Sequence, residues 1–293
     1  MHYEGIVYRP PSEADSLIIQ ATYGCPHNRC AFCNMYRGRR FKIRKVEEII
    51  ADMDEAAATY PLRAIRSLFL ADGNTILMKT GQLVQVLEHA RRRFPWLERV
   101  TCYGASQYLV LKTPEEMQRL AEAGLNRIHC GMESGHDPLL QRISKGGTMD
   151  THIRGGRLVK DAGMELSMYY MPGLGGYEMS DAHARDSAKV LNAVDPDFIR
   201  LRTFVPIGGT PLCDEFREGR FTLMEPHDVM REIRTLVEHL ETTSRFYSDH
   251  WNNFANISGK LPLDKERMLR DIDEVLTWPR SAFRPLGEVY DTL

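Results

Sequence analysis

Hydrophobic and polar positions along this chain alternate with two different periods. Short apolar runs of strand length are separated by longer stretches in which apolar residues recur every three or four positions. Repeated alternation of this kind predicts a parallel sheet with helical crossovers. The six runs are Leu17–Tyr23, Ser67–Ala71, Arg99–Ala105, Arg127–Glu133, Glu165–Met171 and Phe198–Val205. The amphipathic stretches include Val46–Tyr60, Gly81–Phe94, Pro114–Ala123 and Asp181–Val194.

Local signals mark the ends of these helices. The segment Thr113-Pro114-Glu115-Glu116 combines a capping box with proline at the first helical position, and Gly124 is placed to end that helix. Gly163 has the same position after the next amphipathic stretch. The predicted helix ends therefore agree with the hydrophobic periodicity.

The number of strand–helix units limits the fold. Six units fall short of the eight in a complete barrel. The sequence predicts an α/β fold, a partial (β/α)6 barrel of the TIM type with parallel strands, over residues 1–215. The alternation then ends, and helical patterns over Pro226–Thr243 and 264–277 predict a helical C-terminal extension over 216–293, packed on the core.

Polar and glycine-rich segments follow the apolar runs. In parallel α/β barrels the loops after the strands share one edge, where active sites form. We therefore expect the active site at that edge. The segments are the loop Cys25–Cys33, Asp72-Gly73-Asn74, Ser106-Gln107, Glu133-Ser134-Gly135, Pro172–Gly176 and Pro206–Gly209.

Composition narrows the class of protein. The chain has 293 residues, 43% hydrophobic and 27% charged, with a formal net charge of −2. This balance argues against a strongly electrostatic binder of nucleic acids or membranes. No segment approaches the roughly 20 apolar residues of a membrane span, and the N-terminus lacks a basic region followed by an apolar core. Six cysteines in a chain of this length do not form a disulfide framework, so we expect a cytoplasmic protein.

The most specific chemical signal is the spacing C-x4-C-x2-C formed by Cys25, Cys30 and Cys33. Three thiolates in nine residues can surround one soft metal centre. A four-iron cluster held by three cysteines leaves one iron open, whereas cluster-binding electron carriers use four. A structural zinc site completed by His27 is the alternative.

The cysteine trio, the aromatic Phe32 before its last member and the six strand–helix units resemble the radical S-adenosylmethionine superfamily over residues 14–215. The chain looks most similar to the branch of oxygen-independent coproporphyrinogen oxidase-like and methylthiotransferase-like enzymes. In that superfamily three cysteines hold a [4Fe–4S] cluster, whose fourth iron binds the amino and carboxylate groups of S-adenosylmethionine. One electron cleaves the sulfonium, and the resulting 5′-deoxyadenosyl radical abstracts a hydrogen atom. The commonest family spacing, C-x3-C-x2-C, is one residue shorter than the spacing here.

The resemblance also implies partners and cofactor contacts. It implies an oxidoreductase-type enzyme with a [4Fe–4S] cluster, S-adenosylmethionine and an electron donor such as flavodoxin or ferredoxin. No catalytic residue is assigned by it. The implied contacts are Phe32 and Tyr36 at the adenine, Asp72, Gly73 and Asn74 at the methionine amino group, Glu133 at the ribose or methionine with Ser134 beside it, Lys145 at the methionine carboxylate, and Met171 and Gly173 on the adenine side.

Two arginines in the sixth run carry an inference that needs no family. Arg200 and Arg202 alternate with Ile199 and Leu201, so the two pairs lie on opposite faces of a strand. Helices cover the apolar face, which turns both guanidiniums inward, where they require anionic partners. The S-adenosylmethionine carboxylate and a substrate carboxylate or phosphate are one solution, and internal ion pairs with residues such as Glu133 are the other. We therefore predict a small anionic substrate.

Three other functions stay open at this point. The first is an RNA- or protein-modifying enzyme of the same superfamily, because the basic run Arg37–Lys45 could contact RNA or an acidic electron donor. No appended RNA-binding module is visible, which disfavours nucleic acid. The others are a cluster protein without catalysis and a zinc protein. The polar and aromatic segment Tyr247–Phe254 could be a substrate lid or simple tail packing.

Remaining cysteines and histidines have less specific signals. Cys102, Cys130 and Cys213 have no close cysteine neighbour in sequence, which favours core positions over a second cluster or a hydrogen-atom donor. His129 and His136 flank the fourth run, and a structural role is favoured for both.

Overall fold

Strands and helices alternate through most of the chain in the computed structural model, which describes residues 1–291. The strands are β1 (Leu17–Gln20), β2 (Thr22–Tyr23), β3 (Lys42–Ile43), β4 (Ser67–Ala71), β5 (Arg99–Tyr103), β6 (Arg127–Glu133), β7 (Glu165–Tyr170), β8 (Phe198–Leu201), β9 (Arg245–Tyr247) and β10 (Gly259–Lys260). The helices are α1 (Val46–Thr59), α2 (Thr80–Arg93), α3 (Ser106–Leu109), α4 (Pro114–Ala123), α5 (Asp137–Arg142), α6 (Met149–Asp161), α7 (Gly176–Val194), α8 (Pro211–Arg217), α9 (Pro226–His239) and α10 (Lys265–Val275).

The main sheet has eight strands in the order β1-β4-β5-β6-β7-β8-β9-β10. Neighbouring strands are parallel from β1 to β6 and from β7 to β9, and β10 is antiparallel to β9. The predicted parallel α/β fold is confirmed. The second and fourth apolar runs coincide with β4 and β6, whereas the first contains both β1 and β2. Strand β2 leaves the main sheet and pairs with β3 in a separate antiparallel pair.

The segment after residue 215 contains strands as well as helices. Strand β9 pairs with β8 in parallel, with Phe198 opposite Arg245 and Arg200 opposite Tyr247. The prediction missed it because only Phe246 is buried in this three-residue strand, too few positions for a detectable period. Within residues 1–291, no helix is both long and apolar enough to cross a membrane.

Helix α4 has the ends that its sequence predicts. The Thr113 hydroxyl accepts from the Glu116 amide at 3.2 Å, and the Glu116 carboxylate accepts from the Thr113 amide at 3.1 Å. Gly124 ends the helix with φ of +110°, and an added Cβ there would lie 1.8 Å from Arg91 Nε. The positive φ favours glycine here, while the flexible Arg91 side chain could move away from a Cβ. Helix α7 begins at Gly176, five residues before the predicted Asp181, without a side-chain cap.

The chain divides into two compact units. Unit 1 comprises Met1–Asn28, Tyr36–Cys130 and Arg154–Leu166. Unit 2 comprises Arg29–Met35, Gly131–Ile153 and the chain from Ser167 onward. In unit 1, residues 68–71 of β4 are fully buried, the pattern of a strand covered on both faces. In unit 2, helices α7 and α9 pack against each other. The predicted boundary at residue 215 stays a prediction.

Candidate active site

In unit 1, the fully buried carboxylate of Asp72 follows β4 and accepts three hydrogen bonds. The donors are Gln20 Nε2 at 2.9 Å, the Gly24 amide at 3.3 Å and the Tyr36 hydroxyl at 3.1 Å. Burial raises the pKa of Asp72, against the effect of these donors. Burial and the adjacent Asp72 also raise the pKa of Tyr36, which keeps the phenol a donor. We call Gln20, Gly24, Tyr36 and Asp72 the Asp72 hub; it fixes the backbone immediately before Cys25.

Gly73 allows the cysteine loop to approach β4. A Cβ at this position would lie 2.7 Å from the Gly24 carbonyl oxygen and 3.0 Å from Cys25 Cα. Any side chain would therefore push against backbone atoms that cannot rotate away. The glycine in this turn is explained by the close approach of Cys25.

Asn74 contacts Cys25 directly. Its Oδ1 accepts from the Ala105 amide at 2.7 Å, which fixes the orientation of the side-chain amide. Nδ2 then donates to Cys25 Sγ at 3.8 Å. A hydrogen bond to a cysteine sulfur stabilises the thiolate and tunes the potential of a bound cluster. The structure thus shows Asp72, Gly73 and Asn74 supporting a cysteine; their predicted contact with the methionine amino group stays a prediction.

In unit 2, the other two cysteines of the trio pack on apolar side chains. Cys30 and Cys33 lie against a buried cluster that includes Phe32, Leu139, Ile143, Met171 and Phe204. The loop is held by its backbone, because the Ala31 amide donates to the Ile143 carbonyl at 2.8 Å and the Leu212 amide donates to the Ala31 carbonyl at 2.9 Å. Phe32 is thereby an anchor of the loop as well as the predicted adenine contact.

Glu133 and Lys145 form a buried ion pair. Lys145 Nζ lies 3.0 Å from Glu133 Oε1 and 5.7 Å from the centre of the Phe32 ring. Glu133 has a φ of +65°, an uncommon conformation for this residue type. An added Cβ at Gly131 would lie 2.3 Å from Glu133 Oε1, so glycine there makes room for the pair. The predicted separate roles, Glu133 at the ribose or methionine and Lys145 at the methionine carboxylate, stay predictions.

Two residues outside the predicted set hold the loop after β7. His183 of α7 bonds to Ser134 Oγ at 2.8 Å and to the Met171 carbonyl at 3.1 Å. Burial lowers the pKa of His183, so it stays neutral, donates from Nε2 and accepts the Ser134 proton at Nδ1. Ser134 is fully buried and acts in this position as a support of the loop.

Glu232 of α9 is the second of these residues. Its buried carboxylate accepts from Tyr170 OH at 2.9 Å, from the Gly173 amide at 2.9 Å and from Ser180 Oγ at 2.6 Å. Gly173 has a φ of +78°, which suits glycine. Sequence reasoning missed Glu232, although a carboxylate between the apolar residues Met230 and Ile233 of an amphipathic helix was an available signal.

Arg200 lies on the face of β8 that the alternation predicts, and Arg202 follows the last residue of the strand. Ile199 and Leu201 are buried, and Tyr170, the register partner of Leu201, reaches Glu232 on α9. The apolar face is therefore covered by a helix. Arg200 lies opposite Tyr169 on the other face and stacks on Tyr247 at 4.6 Å.

The two guanidiniums lack acidic partners. Among residues 1–291, no ion pair involves Arg200 or Arg202, and the Nε atoms of both are buried without a hydrogen-bond partner. Glu133 pairs with Lys145 and not with either arginine. The internal ion pair with Glu133, which the sequence left open, is therefore not formed. Their role in binding a ligand stays a prediction.

Exposure separates the cysteine trio from the other cysteines. Cys25, Cys30 and Cys33 are partly exposed thiols, whereas Cys102, Cys130 and Cys213 are buried, and none of the six forms a disulfide. Burial raises the pKa of Cys102 to about 12, which keeps it a thiol. Core positions are thus confirmed for the second group.

The donor set of the trio fits an iron–sulfur cluster. It consists of soft sulfur ligands, one of them already accepting a hydrogen bond from Asn74. In the part of the chain that the structure describes, no three His, Cys, Asp or Glu side chains are already gathered for a metal ion. The fit of the trio to an iron–sulfur cluster therefore rests on the donor chemistry of its three thiols.

The two histidines that flank β6 have buried or half-buried acidic partners. His129 Nε2 lies 2.9 Å from Glu13 Oε1, and both side chains are fully buried. His136 Nδ1 lies 2.8 Å from Asp186 Oδ2. These contacts agree with the favoured structural role.

Comparison with known proteins places the chain in a family. Residues 19–187, more than half of the chain, match the model of the Radical SAM superfamily. The tRNA uridine(34) acetyltransferase of Methanocaldococcus jannaschii is 22% identical over 140 residues, which cover 46% of this chain and 26% of that protein. This chain thus spans about a quarter of the length of that relative.

Solved structures share the fold. The radical S-adenosylmethionine methyltransferase TsrM from Kitasatospora setae has a TM-score of 0.57 at 20% identity, over 71% of this chain and 39% of that chain. Coproporphyrinogen III oxidase from Escherichia coli has a TM-score of 0.55 at 12% identity, over 76% and 52%. These neighbours confirm the partial-barrel fold class. The narrower placement in the coproporphyrinogen oxidase-like and methylthiotransferase-like branch stays a prediction.

Proposed function

The chain belongs to the radical S-adenosylmethionine superfamily, and from that membership we propose that it abstracts a hydrogen atom from a small anionic substrate. Members of the superfamily use a [4Fe–4S] cluster and S-adenosylmethionine, and the chain is an enzyme of this type. When bound, these cofactors supply a carbon-centred radical through reductive cleavage of the sulfonium. The observation that carries the substrate class is the pair Arg200 and Arg202 without acidic partners.

The protein's own residues position and protect this chemistry. Cys25, Cys30 and Cys33 would hold the cluster, with Asn74 donating to the first thiolate. Lys145 would turn from Glu133 to the carboxylate of S-adenosylmethionine, because a lysine is a mobile point charge on a flexible stem. These assignments rest on donor type and position.

Electrostatics support an anionic substrate. Residues two apart on a strand are separated by about 7 Å, and two guanidiniums at that distance repel by roughly 2 kcal/mol at an effective dielectric constant of 20. Arg200 stacks on an aromatic ring, but among the described residues 1–291 neither guanidinium has an acidic partner that would offset this repulsion. An oxyanion bound near them would remove it, because arginine forms bidentate hydrogen bonds with carboxylate and phosphate.

The test is anaerobic reconstitution with iron and sulfide, followed by dithionite and S-adenosylmethionine. We expect 5′-deoxyadenosine by mass spectrometry from the wild type and none from Cys30→Ala. A brown protein that releases no 5′-deoxyadenosine with or without candidate anions would favour a cluster protein without catalysis. A colourless, zinc-loaded protein would reject the proposal.

Specific observations keep RNA modification as a second candidate. A tRNA-modifying protein is among the relatives, and Arg37, Arg40, Lys42 and Lys45 are exposed in unit 1. Arg44 of the same run is instead buried in an ion pair with Asp52 at 2.6 Å. Electrophoretic binding of tRNA that weakens steeply with salt would favour this candidate.

The same exposed basic side chains would suit an acidic electron donor such as flavodoxin or ferredoxin. We place the enzyme in the cytoplasm, because its partly exposed thiols suit a reducing compartment. Reduction of the reconstituted cluster by flavodoxin, slowed by Lys42→Glu, would support the docking.

A further inference from the structure

The segment Tyr247–Phe254, here called the tail segment, is fastened to the end of β8. Asn253 Oδ1 accepts from the Thr203 amide at 2.8 Å and from the Thr203 hydroxyl at 2.9 Å, and its Nδ2 donates to the Leu201 carbonyl at 2.9 Å. Asn252 Nδ2 donates to the Thr203 carbonyl at 2.6 Å. Four hydrogen bonds thus hold the tail segment against the residues on both sides of Arg202.

Arg200 of β8 and Arg202, which follows the strand, have different surroundings. Arg200 is stacked over Tyr247 at 4.6 Å and over Phe198 at 5.7 Å, which stabilises its charge through the aromatic rings. Among residues 1–291, Arg202 has neither a ring beneath it nor an acidic partner. Arg202 is therefore the cation that still needs a ligand.

His250 of the tail segment lies two residues before Asn252, which binds the carbonyl of Thr203 next to Arg202. Its Nδ1 lies 2.5 Å from Asn252 Oδ1, an acceptor whose orientation is fixed because Asn252 Nδ2 is used by Thr203. The Asn252 backbone amide also approaches Nδ1, at 3.5 Å, but the much shorter contact with an acceptor oxygen assigns the proton to Nδ1. Nε2 has no hydrogen-bond partner in the described chain. Burial, followed by the charge of Arg202, holds the pKa of His250 below its usual range, while Asn252 and Asp249 act in the opposite direction.

We propose that Arg202 and His250 together bind one oxyanion group of the substrate, and that His250 is a specificity-determining residue supplied by the tail segment. This deepens the proposed function and rests on it. A carboxylate or phosphate oxygen would accept from the Arg202 guanidinium and from His250 Nε2–H. The anion offsets the charge of Arg202, so His250 takes up a proton as the anion binds. Arg200 supports Tyr247 and does not contact the anion.

Sulfate tests this site, because it stays a dianion between pH 6 and pH 8. We expect calorimetric titration of the reconstituted protein to show at least about tenfold tighter sulfate binding at pH 6 than at pH 8, since binding is linked to proton uptake. Arg202→Gln should weaken binding by about tenfold or more, the loss of one charge-assisted hydrogen bond. His250→Gln should bind more weakly than the wild type at pH 6 and lose the pH dependence.

The matched control is Arg245→Gln. Arg245 lies on β9, is exposed, and loses the same charge on substitution, so its affinity for sulfate should equal that of the wild type. Equal weakening of sulfate binding by Arg245→Gln and Arg202→Gln would overturn the proposal, because sulfate would then be attracted by the overall positive charge and not by a specific site. Competition between S-adenosylmethionine and sulfate would also overturn it, since Arg202 would then hold the cofactor carboxylate.

The two proposals fail separately. Formation of 5′-deoxyadenosine without sulfate binding at Arg202 would reject this site and leave the radical chemistry in place. Sulfate binding with the expected variants, but no cleavage of S-adenosylmethionine, would reject the proposed function alone.

Discussion

The Asp72 hub in unit 1 and the charged groups of unit 2 differ in how their buried charges are stabilised. In the hub, uncharged donors satisfy one buried carboxylate, and the backbone before Cys25 is fixed without any ligand. In unit 2, Glu133 and Lys145 depend on each other, and Arg202 has no acidic partner in the described residues. The difference suggests a permanent support for a resident cofactor in one unit and a charge left for an incoming ligand in the other.

We therefore predict that substitutions at the charged groups of unit 2 lower the free energy of unfolding more than substitutions beside the Asp72 hub. Lys145→Met should have the largest effect, because it leaves Glu133 as a buried charge without its partner. Breaking a buried ion pair lowers the free energy of unfolding by about 3–5 kcal/mol. Urea denaturation of the apoprotein would measure this loss. The double variant Lys145→Met with Glu133→Gln should recover most of it, and failure to recover would show that the pair is not the cause.

Glu232→Ala should follow in size. It leaves the Tyr170 hydroxyl and the Gly173 amide as buried donors without an acceptor, at a cost of at least about 2 kcal/mol. The same denaturation experiment applies. Glu238→Ala is the matched control on α9, because Glu238 is exposed; it should change the free energy of unfolding by no more than about 0.5 kcal/mol. Equal losses in both variants would argue against Glu232 as the support of the loop.

Gly73→Ala tests the packing beside the Asp72 hub, where the hydrogen-bond donors are uncharged. Its new Cβ would meet the Gly24 carbonyl oxygen at 2.7 Å, and overpacking of this kind costs about 1–3 kcal/mol. Because the displaced atoms adjoin Cys25, we expect lower iron content after reconstitution as well. Gly81→Ala is the control, since a Cβ there meets open space in α2. Full iron loading of Gly73→Ala would show that the loop has room that the structure does not display.

The sequence predicted best the elements in which the pattern of apolar and polar residues repeats or a local cap is present. The apolar runs placed β4 and β6 at their observed bounds, and the capping box and Gly124 placed the two ends of α4. Arg200 was assigned to the correct face of β8 because a strand alternates strictly, whereas Arg202 lies just beyond the observed end of the strand. Local chemistry and a regular period were sufficient in these cases.

Tertiary contacts explain what the sequence could not predict. Glu232 and His183 act on loops 59 and 12 residues away, so no local pattern marks their partners. The Asp72 hub was not predicted, because the packing of Asp72 and Tyr36 against Gln20 and Gly24 depends on how separate segments meet; the predicted cofactor contacts of Asp72 and Tyr36 stay predictions. Strand β9 was missed because three residues carry too little periodicity. Long-range pairing, rather than local preference, determined each of these.

The smallest effect that we predict concerns the hydrogen bond to the sulfur of Cys25. Asn74→Ala removes the donor at 3.8 Å from Cys25 Sγ and leaves the Asp72 hub intact. A weak hydrogen bond of about 0.5–1 kcal/mol corresponds to about 20–40 mV for a one-electron couple, and its loss destabilises the more negative, reduced cluster. We expect a more negative midpoint potential in an electron paramagnetic resonance titration of the reconstituted protein. Asn28→Ala, which removes the hydrogen bond from Nδ2 to the Tyr36 carbonyl, is the control. If both variants kept the wild-type potential, Asn74 would serve only to hold the Ala105 amide. The residues around Cys25 in unit 1 would then position the cluster without changing its potential.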